Sequence, residues 1–165
     1  MLTILLTAAL SGLWDDETFL GKGPAIGAGA AVAITQNLSI EAAAERGTHH
    51  RDSGYLKVDG TATSLTGRLS FAFRHRDAGV RPFVSAGGTW IRSHEAFVLA
   101  GQPSDYTTSA RGWEVGAGIE IKTSTRLRIR PEARWMMTAA DPSFTPGSVE
   151  PPLAGIRGGV TLMWK

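Results

Sequence analysis

The chain has 165 residues, 42% of them hydrophobic and 19% charged, with a formal net charge of +2, which suits one domain spanning 1–165. Twenty glycines and no cysteine exclude disulfide scaffolds, thiolate metal sites and thiol catalysis. No apolar run reaches the ~18 residues of a membrane helix, and no block of lysine or arginine points to nucleic acid.

In chain order, the first element is MLTILLTAALSGLW. Leu2, Ile4, Leu6, Ala8, Leu10 and Trp14 share one parity, and Thr3, Thr7 and Ser11 the other. It has the apolar middle of a signal peptide but not the positively charged start. It reads as a strand, and an export signal is then expected upstream of Met1. PAIGAGAAVAI sets Ile26, Ala28, Ala30, Val32 and Ile34 against Gly27, Gly29, Ala31 and Ala33. LSIEAAAE places Glu41 and Glu45 on one face. LTGRLSFAFR opposes Leu65, Gly67, Leu69, Phe71 and Phe73 to Thr66, Arg68, Ser70 and Arg74. VRPFVSAGGTW carries Pro82 near its start and Trp90 at its end, and WEVGAGIEIK runs from Trp113 with Glu114 and Glu120 on the opposite parity.

LRIRPEARWMM is the clearest segment. Arg128, Arg130, Glu132 and Arg134 lie on one parity, and Leu127, Ile129, Pro131, Ala133, Trp135 and Met137 on the other. A helix would scatter the arginines around its axis, whereas a strand sends alternate side chains to opposite faces. Pro131 lacks a ladder donor, so a bulge, or a carbonyl left for a side chain, is expected beside it. IRGGVTLMW closes the series with Arg157 opposite Ile156, Val160, Leu162 and Trp164.

The connections from the second element onward alternate in length: TQN, RHRDAG and KTSTR are short, while HHRDSGYLKVDG, HEAFVLAGQPSDYTTS and ADPSFTPGSVEP are long. An antiparallel up-and-down sheet gathers alternate connections at opposite ends. The predicted fold is all-β: an eight-stranded antiparallel up-and-down transmembrane β-barrel with short periplasmic turns and long extracellular loops. The opening segment supplies the eighth strand, since such barrels use even strand numbers.

Alternation does not by itself say which face points outward. A soluble or periplasmic lipocalin-like barrel would bury the apolar face around an apolar ligand. Two features favour lipid outside. Glycines 27, 29, 87, 116, 118 and 159 sit among the charged residues, where they make room inside a narrow barrel for long side chains. Aromatic residues fall at both margins of the apolar parity, with Trp14, Trp90, Trp113 and Trp135 toward the long loops and Phe73 and Trp164 toward the short turns, as in an aromatic girdle.

The segments GLWDDETFLGKGPAIGAGAAV, GYLKVDGTATSLTGRLSFAFR, VRPFVSAGGTW and GWEVGAGIEIKTSTRLRIRPEARW resemble the small OmpA/OmpX-like outer-membrane β-barrel proteins. The resemblance covers nearly the whole chain and implies a monomeric barrel in a Gram-negative outer membrane, inserted by the barrel-assembly machinery. Such barrels usually end on an aromatic residue, whereas here Lys165 follows Trp164.

An eight-stranded barrel has room inside only for side chains. The inward set, Glu41, Glu45, Arg68, Glu114, Glu120, Arg128, Arg130, Glu132, Arg134 and Arg157, is therefore expected to form a salt-bridge lattice, with a narrow ion path as the alternative. Neither catalysis nor a cofactor is expected. Ser93, His94 and Glu95 are adjacent and so cannot converge on one face of a strand. GKGPAIGAG lacks the spacing of a phosphate loop. His49 and His50, read as loop residues with only Asp52 nearby, suit solvent better than a metal. A lipid-modifying barrel enzyme would need a Ser or His and an acid together on the lipid-facing side, and no such cluster is visible in sequence. Lys22, Arg46, Arg51, Lys57, Arg92 and Arg111 gather toward the long-loop end, where the bilayer and lipopolysaccharide phosphates are candidate partners and plain solvation the alternative. The leading expectation is a structural or adhesin-like surface role.

Overall fold

The computed structural model describes residues 3–14, 23–52, 56–99, 102–139 and 154–164. They form eight strands: β1 (Thr3–Trp14), β2 (Gly23–Ala33), β3 (Leu38–Asp52), β4 (Leu56–Ala72), β5 (Val80–Leu99), β6 (Gln102–Lys122), β7 (Leu127–Ala139) and β8 (Ala154–Trp164). Each is antiparallel to its neighbours in sequence, and β1 closes the barrel against β8 in a ladder running from Leu6 opposite Trp164 to Trp14 opposite Ile156. The opening segment of the chain is thus the strand that seals the sheet.

Short turns occupy one end, at 34–37, 73–79 and 123–126. Hydroxyl side chains organise two of them. Thr35 Oγ1 accepts the backbone N–H groups of Asn37 and Leu38 at 3.2 and 3.0 Å, and Ser124 Oγ those of Arg126 and Leu127 at 3.2 and 3.0 Å. These are the local side-chain caps that favour Ser and Thr in tight turns. Asn37 also donates its amide to the Ala72 carbonyl at 2.6 Å, tying the first turn to β4.

At the other end the structure differs from the loop assignment. HHRDSGYLKVDG and HEAFVLAGQPSDYTTS are largely ladder, with β3 pairing β4 out to Asp52 opposite Lys57 and β5 pairing β6 out to Leu99 opposite Gln102. The Phe97-Val98-Leu99 and Tyr106-Thr107-Thr108 runs favour extended backbone, and nothing between them and the barrel breaks the alternation. β5 and β6 have 20 and 21 residues, twice what a bilayer needs, so their hairpin stands beyond the membrane. The connections containing Lys22 and the ADPSFTPGSVEP segment lie outside the described residues.

Of the two outcomes expected at Pro131, a bulge or a carbonyl left without its ladder donor, the bulge is absent. β6 and β7 keep one register on both sides of it, from Gly118 opposite Glu132 to Ile121 opposite Ile129, and only the pairing at Ile119 and Glu120 is missing. On the other edge Pro131 pairs normally with Val160 of β8. A single missing donor is absorbed as a local gap because neighbouring rungs hold the strands in line.

The barrel is apolar outside and polar inside. Ile4, Leu6, Leu10, Ile26, Ile40, Leu65, Leu69, Val84, Ile119 and Leu162 are exposed on the outer wall, while the lumen buries charged and hydroxyl side chains with only a few apolar residues, among them Phe83, Ile91, Met136 and Met163. That arrangement overturns the lipocalin-like alternative, which requires an apolar lumen. It suits a wall surrounded by lipid.

Candidate functional site

The charged part of the lumen is built from the polar parity of β3, β4, β5, β6, β7 and β8. All ten charged residues assigned to the interior lie there, nine of them buried and Arg128 half-buried. Glu41 of β3 accepts from Arg68 Nε of β4 at 2.7 Å and from Arg130 Nη1 of β7 at 2.5 Å. Farther along the same face of β3, Glu45 accepts from Arg134 at 2.5 Å and from Arg157 of β8 at 2.9 Å. Glu132 sits between these two centres, 3.4 Å from both Arg68 and Arg134 and 3.3 Å from Arg130. Glu114 is 3.5 Å from Arg68 and 3.6 Å from Arg134. Toward the short turns, Glu120 is shared by Arg81 at 3.0 Å and Arg128 at 3.6 Å.

Glycine makes this density of long side chains fit. Directly across the ladder, Gly27 faces Glu45, Gly87 faces Arg68 and Gly116 faces Arg134, while Glu132 has Gly118 on one side and Gly159 on the other. A Cβ on Gly27 would meet Glu45 Cγ at 2.6 Å, and one on Gly116 would meet Arg134 Cγ at 2.9 Å. The missing side chain is the space the charged stem occupies.

Among the lumen residues that sequence reasoning missed are Arg81, Phe83 and Glu95. Arg81 pairs with Glu120 and donates to the Gln36 carbonyl at 2.9 Å, Phe83 lies 3.8 Å beneath the Arg130 guanidinium, and Glu95 is buried. The parity of Gly87, already assigned inward, would have placed all three. Ser93 and Glu95 are buried and His94 is exposed, so the triad residues point to opposite faces as strand geometry demands.

Outside, Trp113 and Trp135 meet edge to face at 4.9 Å, and Trp90 is half-buried beside them, two rungs from Trp113. At the short-turn end Trp164 is exposed and Phe73 packs edge to face with Phe71 at 5.6 Å. Trp14 pairs with Ile156, which pairs with Trp135, placing its backbone at the same level; its side chain lies outside the described residues. From Leu127, level with Trp164, to Trp135 is eight residues, about 26 Å along the strand. Tilted as barrel strands are, that distance projects to about 20 Å, close to the ~25 Å apolar band of such proteins.

Above Trp90 the outer face changes character within one rung. Ala44, Leu65, Trp90 and Arg111 are cross-strand partners; the next row is Arg46, Thr63, Arg92 and Ser109; the next is Thr48, Thr61, His94 and Thr107. Arg46, Arg92 and Arg111 are exposed, as is Lys57 farther out, whereas the side chains of Arg51 and Lys22 lie outside the described residues. His50 is a strand residue, not a loop residue, and its Nδ1 lies 2.6 Å from Asp59 of β4. This outward histidine–acid pair was not visible in sequence because its members are nine residues apart on different strands. Among the described residues no hydroxyl is hydrogen-bonded to it and no group of three ligands could hold a metal. No helix of the described residues is long and apolar enough to cross a membrane.

The fold recurs in solved outer-membrane barrels. Neisserial surface protein A superposes with a TM-score of 0.68 at 15% identity over 99% of this chain and 96% of that one. A major outer membrane protein of Thermus thermophilus gives 0.68 at 11% identity, covering 97% and 98%. Ail, the attachment invasion locus protein of Yersinia pestis, in complex with the heparin analogue sucrose octasulfate, gives 0.60 at 10% identity, covering 99% and 96%. A search of curated protein sequences gave no match. The model of the outer membrane protein beta-barrel domain matches residues 4–144, and the chain belongs to that family of bacterial outer-membrane proteins.

Proposed function

We propose that this barrel is a monomeric, non-enzymatic surface protein, delivered by the barrel-assembly machinery, that holds lipopolysaccharide phosphates along its outer wall and presents the β3–β4 and β5–β6 hairpins to partners outside the cell. The observation that carries the reading is the row of Arg46 and Arg92, with Arg111 beside Trp90, exposed on the lipid-facing parity directly above the apolar band. Guanidinium groups at that height meet the phosphates of outer-leaflet lipid, and arginine suits them because its planar fork binds phosphate in two places. The polyanion bound by Ail supports an affinity for phosphate-like or sulfate-like groups on this architecture. The lumen, filled by side-chain pairs, acts as a rigid plug that supports the hairpins.

The test uses the chain folded into phosphatidylcholine vesicles with and without lipopolysaccharide. Thermal unfolding, read from the shift between folded and boiled bands on a gel, should move upward with lipopolysaccharide in the native chain. A variant carrying Arg46→Gln, Arg92→Gln and Arg111→Gln should lose most of that gain. An equal gain in both proteins would refute the assignment.

A further inference from the structure

The periplasmic mouth carries a second concentration of positive charge, which the outer-wall reading does not use. Arg76 of the β4–β5 turn, Lys122 at the end of β6, Arg126 of the β6–β7 turn and Arg128 at the start of β7 line one crevice of about 180 Å³. Leu5, an inward residue of β1, and Leu127, on the outward parity of β7, both form part of its wall, so the crevice lies at the rim of the barrel mouth. Its one carboxylate is Asp77, and that group lies 3.2 Å from His75 Nδ1. Among the described residues Arg76, Lys122 and Arg126 have no carboxylate within 4.0 Å. Arg128 donates through Nη2 to the Arg76 carbonyl, which holds it across the mouth. Its Nη1 is buried and makes no hydrogen bond, and the nearest carboxylate, Glu120 at 3.6 Å, is already engaged by Arg81 at 3.0 Å.

Four cations brought together by two turns, with Asp77 the one carboxylate in the lining and Glu120 shared between Arg81 and Arg128 below, leave an excess of positive charge that favours an anion. We infer that the crevice binds a small, multiply charged phosphate-bearing solute of the periplasm. Arg126 and Lys122 hold it from the β6–β7 side, Arg76 holds it from the β4–β5 side, and Arg128 adds its charge from below. Phosphate fits better than a single carboxylate because several cations face it from different directions and each of its oxygens accepts.

The experiment titrates inorganic pyrophosphate calorimetrically into the full chain, folded in an uncharged glycoside detergent at low ionic strength. One saturable site per chain is expected. Lys122→Gln with Arg126→Gln, both exposed positions at the short-turn end, should weaken it by at least about tenfold through the loss of two charge-assisted contacts. Arg46→Gln with Arg111→Gln, at the opposite end, should leave it unchanged. No saturable heat, or equal weakening by the two pairs, overturns the proposal. If the Lys122/Arg126 variant lacks the folded gel band, Arg76→Gln on the other turn gives the same comparison. A second arm repeats the titration in vesicles. Pyrophosphate binding that survives in phosphatidylglycerol-containing vesicles supports a solute site, and binding lost there but kept in phosphatidylcholine assigns the crevice to lipid headgroups and overturns the solute reading.

Discussion

Glu41 is the residue on which the inner network depends most. It takes the two shortest arginine contacts of its centre, from Arg68 and Arg130, all three side chains being buried. Removing one partner of a buried pair leaves the other charge uncompensated, so Glu41→Gln should lower the free energy of unfolding by about 3–5 kcal/mol, read by urea titration in vesicles. Glu114→Gln should cost less, because its arginine distances are 3.5 and 3.6 Å and its Oε1 makes no hydrogen bond. Glycines differ in the same graded way. A Cβ at Gly87 would run into the backbone of Gly67 and lie 2.6 Å from Arg68 Cα, whereas one at Gly67 meets nothing within 4 Å. Gly87→Ala should destabilise by about 1–3 kcal/mol, and Gly67→Ala, on the lipid face, by less than about 0.5 kcal/mol; folded-band yield after refolding ranks the two.

Among the strands, β7 combines the clearest pattern with the one irregularity. Its alternation of Arg128, Arg130, Glu132 and Arg134 with apolar residues was legible because period two survives any uncertainty about neighbours. The consequence of Pro131 was not, since a bulge and a gap both satisfy a missing donor and only the register distinguishes them. Pro131→Val should close the gap to Ile119 and add about 0.5–1.5 kcal/mol of stability through the recovered hydrogen bond. Slower amide exchange at Ile119 together with a protected amide at position 131 would register it; unchanged exchange at Ile119 and a rapidly exchanging amide at 131 would show that the interruption has another cause. The hairpin extensions escaped sequence reading because polar, Gly- and Ser-containing stretches such as HHRDSGYLKVDG look like loops until both arms are known to pair.

For the whole molecule, strand number, order and the inward set followed from parity and link length, while the identity of each ionic partner did not. Glu41 meets Arg130 and Glu45 meets Arg134 across the lumen, between strands four apart in the barrel, and those meetings depend on tilt and diameter, which no local pattern encodes. A filled lumen predicts that the chain in a planar bilayer gives no steady ohmic conductance under conditions where its folded gel band is retained; a stable conductance would mean that the side-chain plug is incomplete. The same cross-lumen pairs bear on how the barrel comes to exist. A partial sheet of β1 to β6 would hold Glu41 and Glu45 without the Arg130, Arg134 and Arg157 supplied by the last two strands, 89 to 112 residues later. Carboxylates in that state must stay hydrated, so the growing sheet cannot be sealed against lipid until its final hairpin arrives. Entry into the bilayer and completion of the circle are thereby bound into one cooperative event, late in the sequence and set by the strands that bring the arginines.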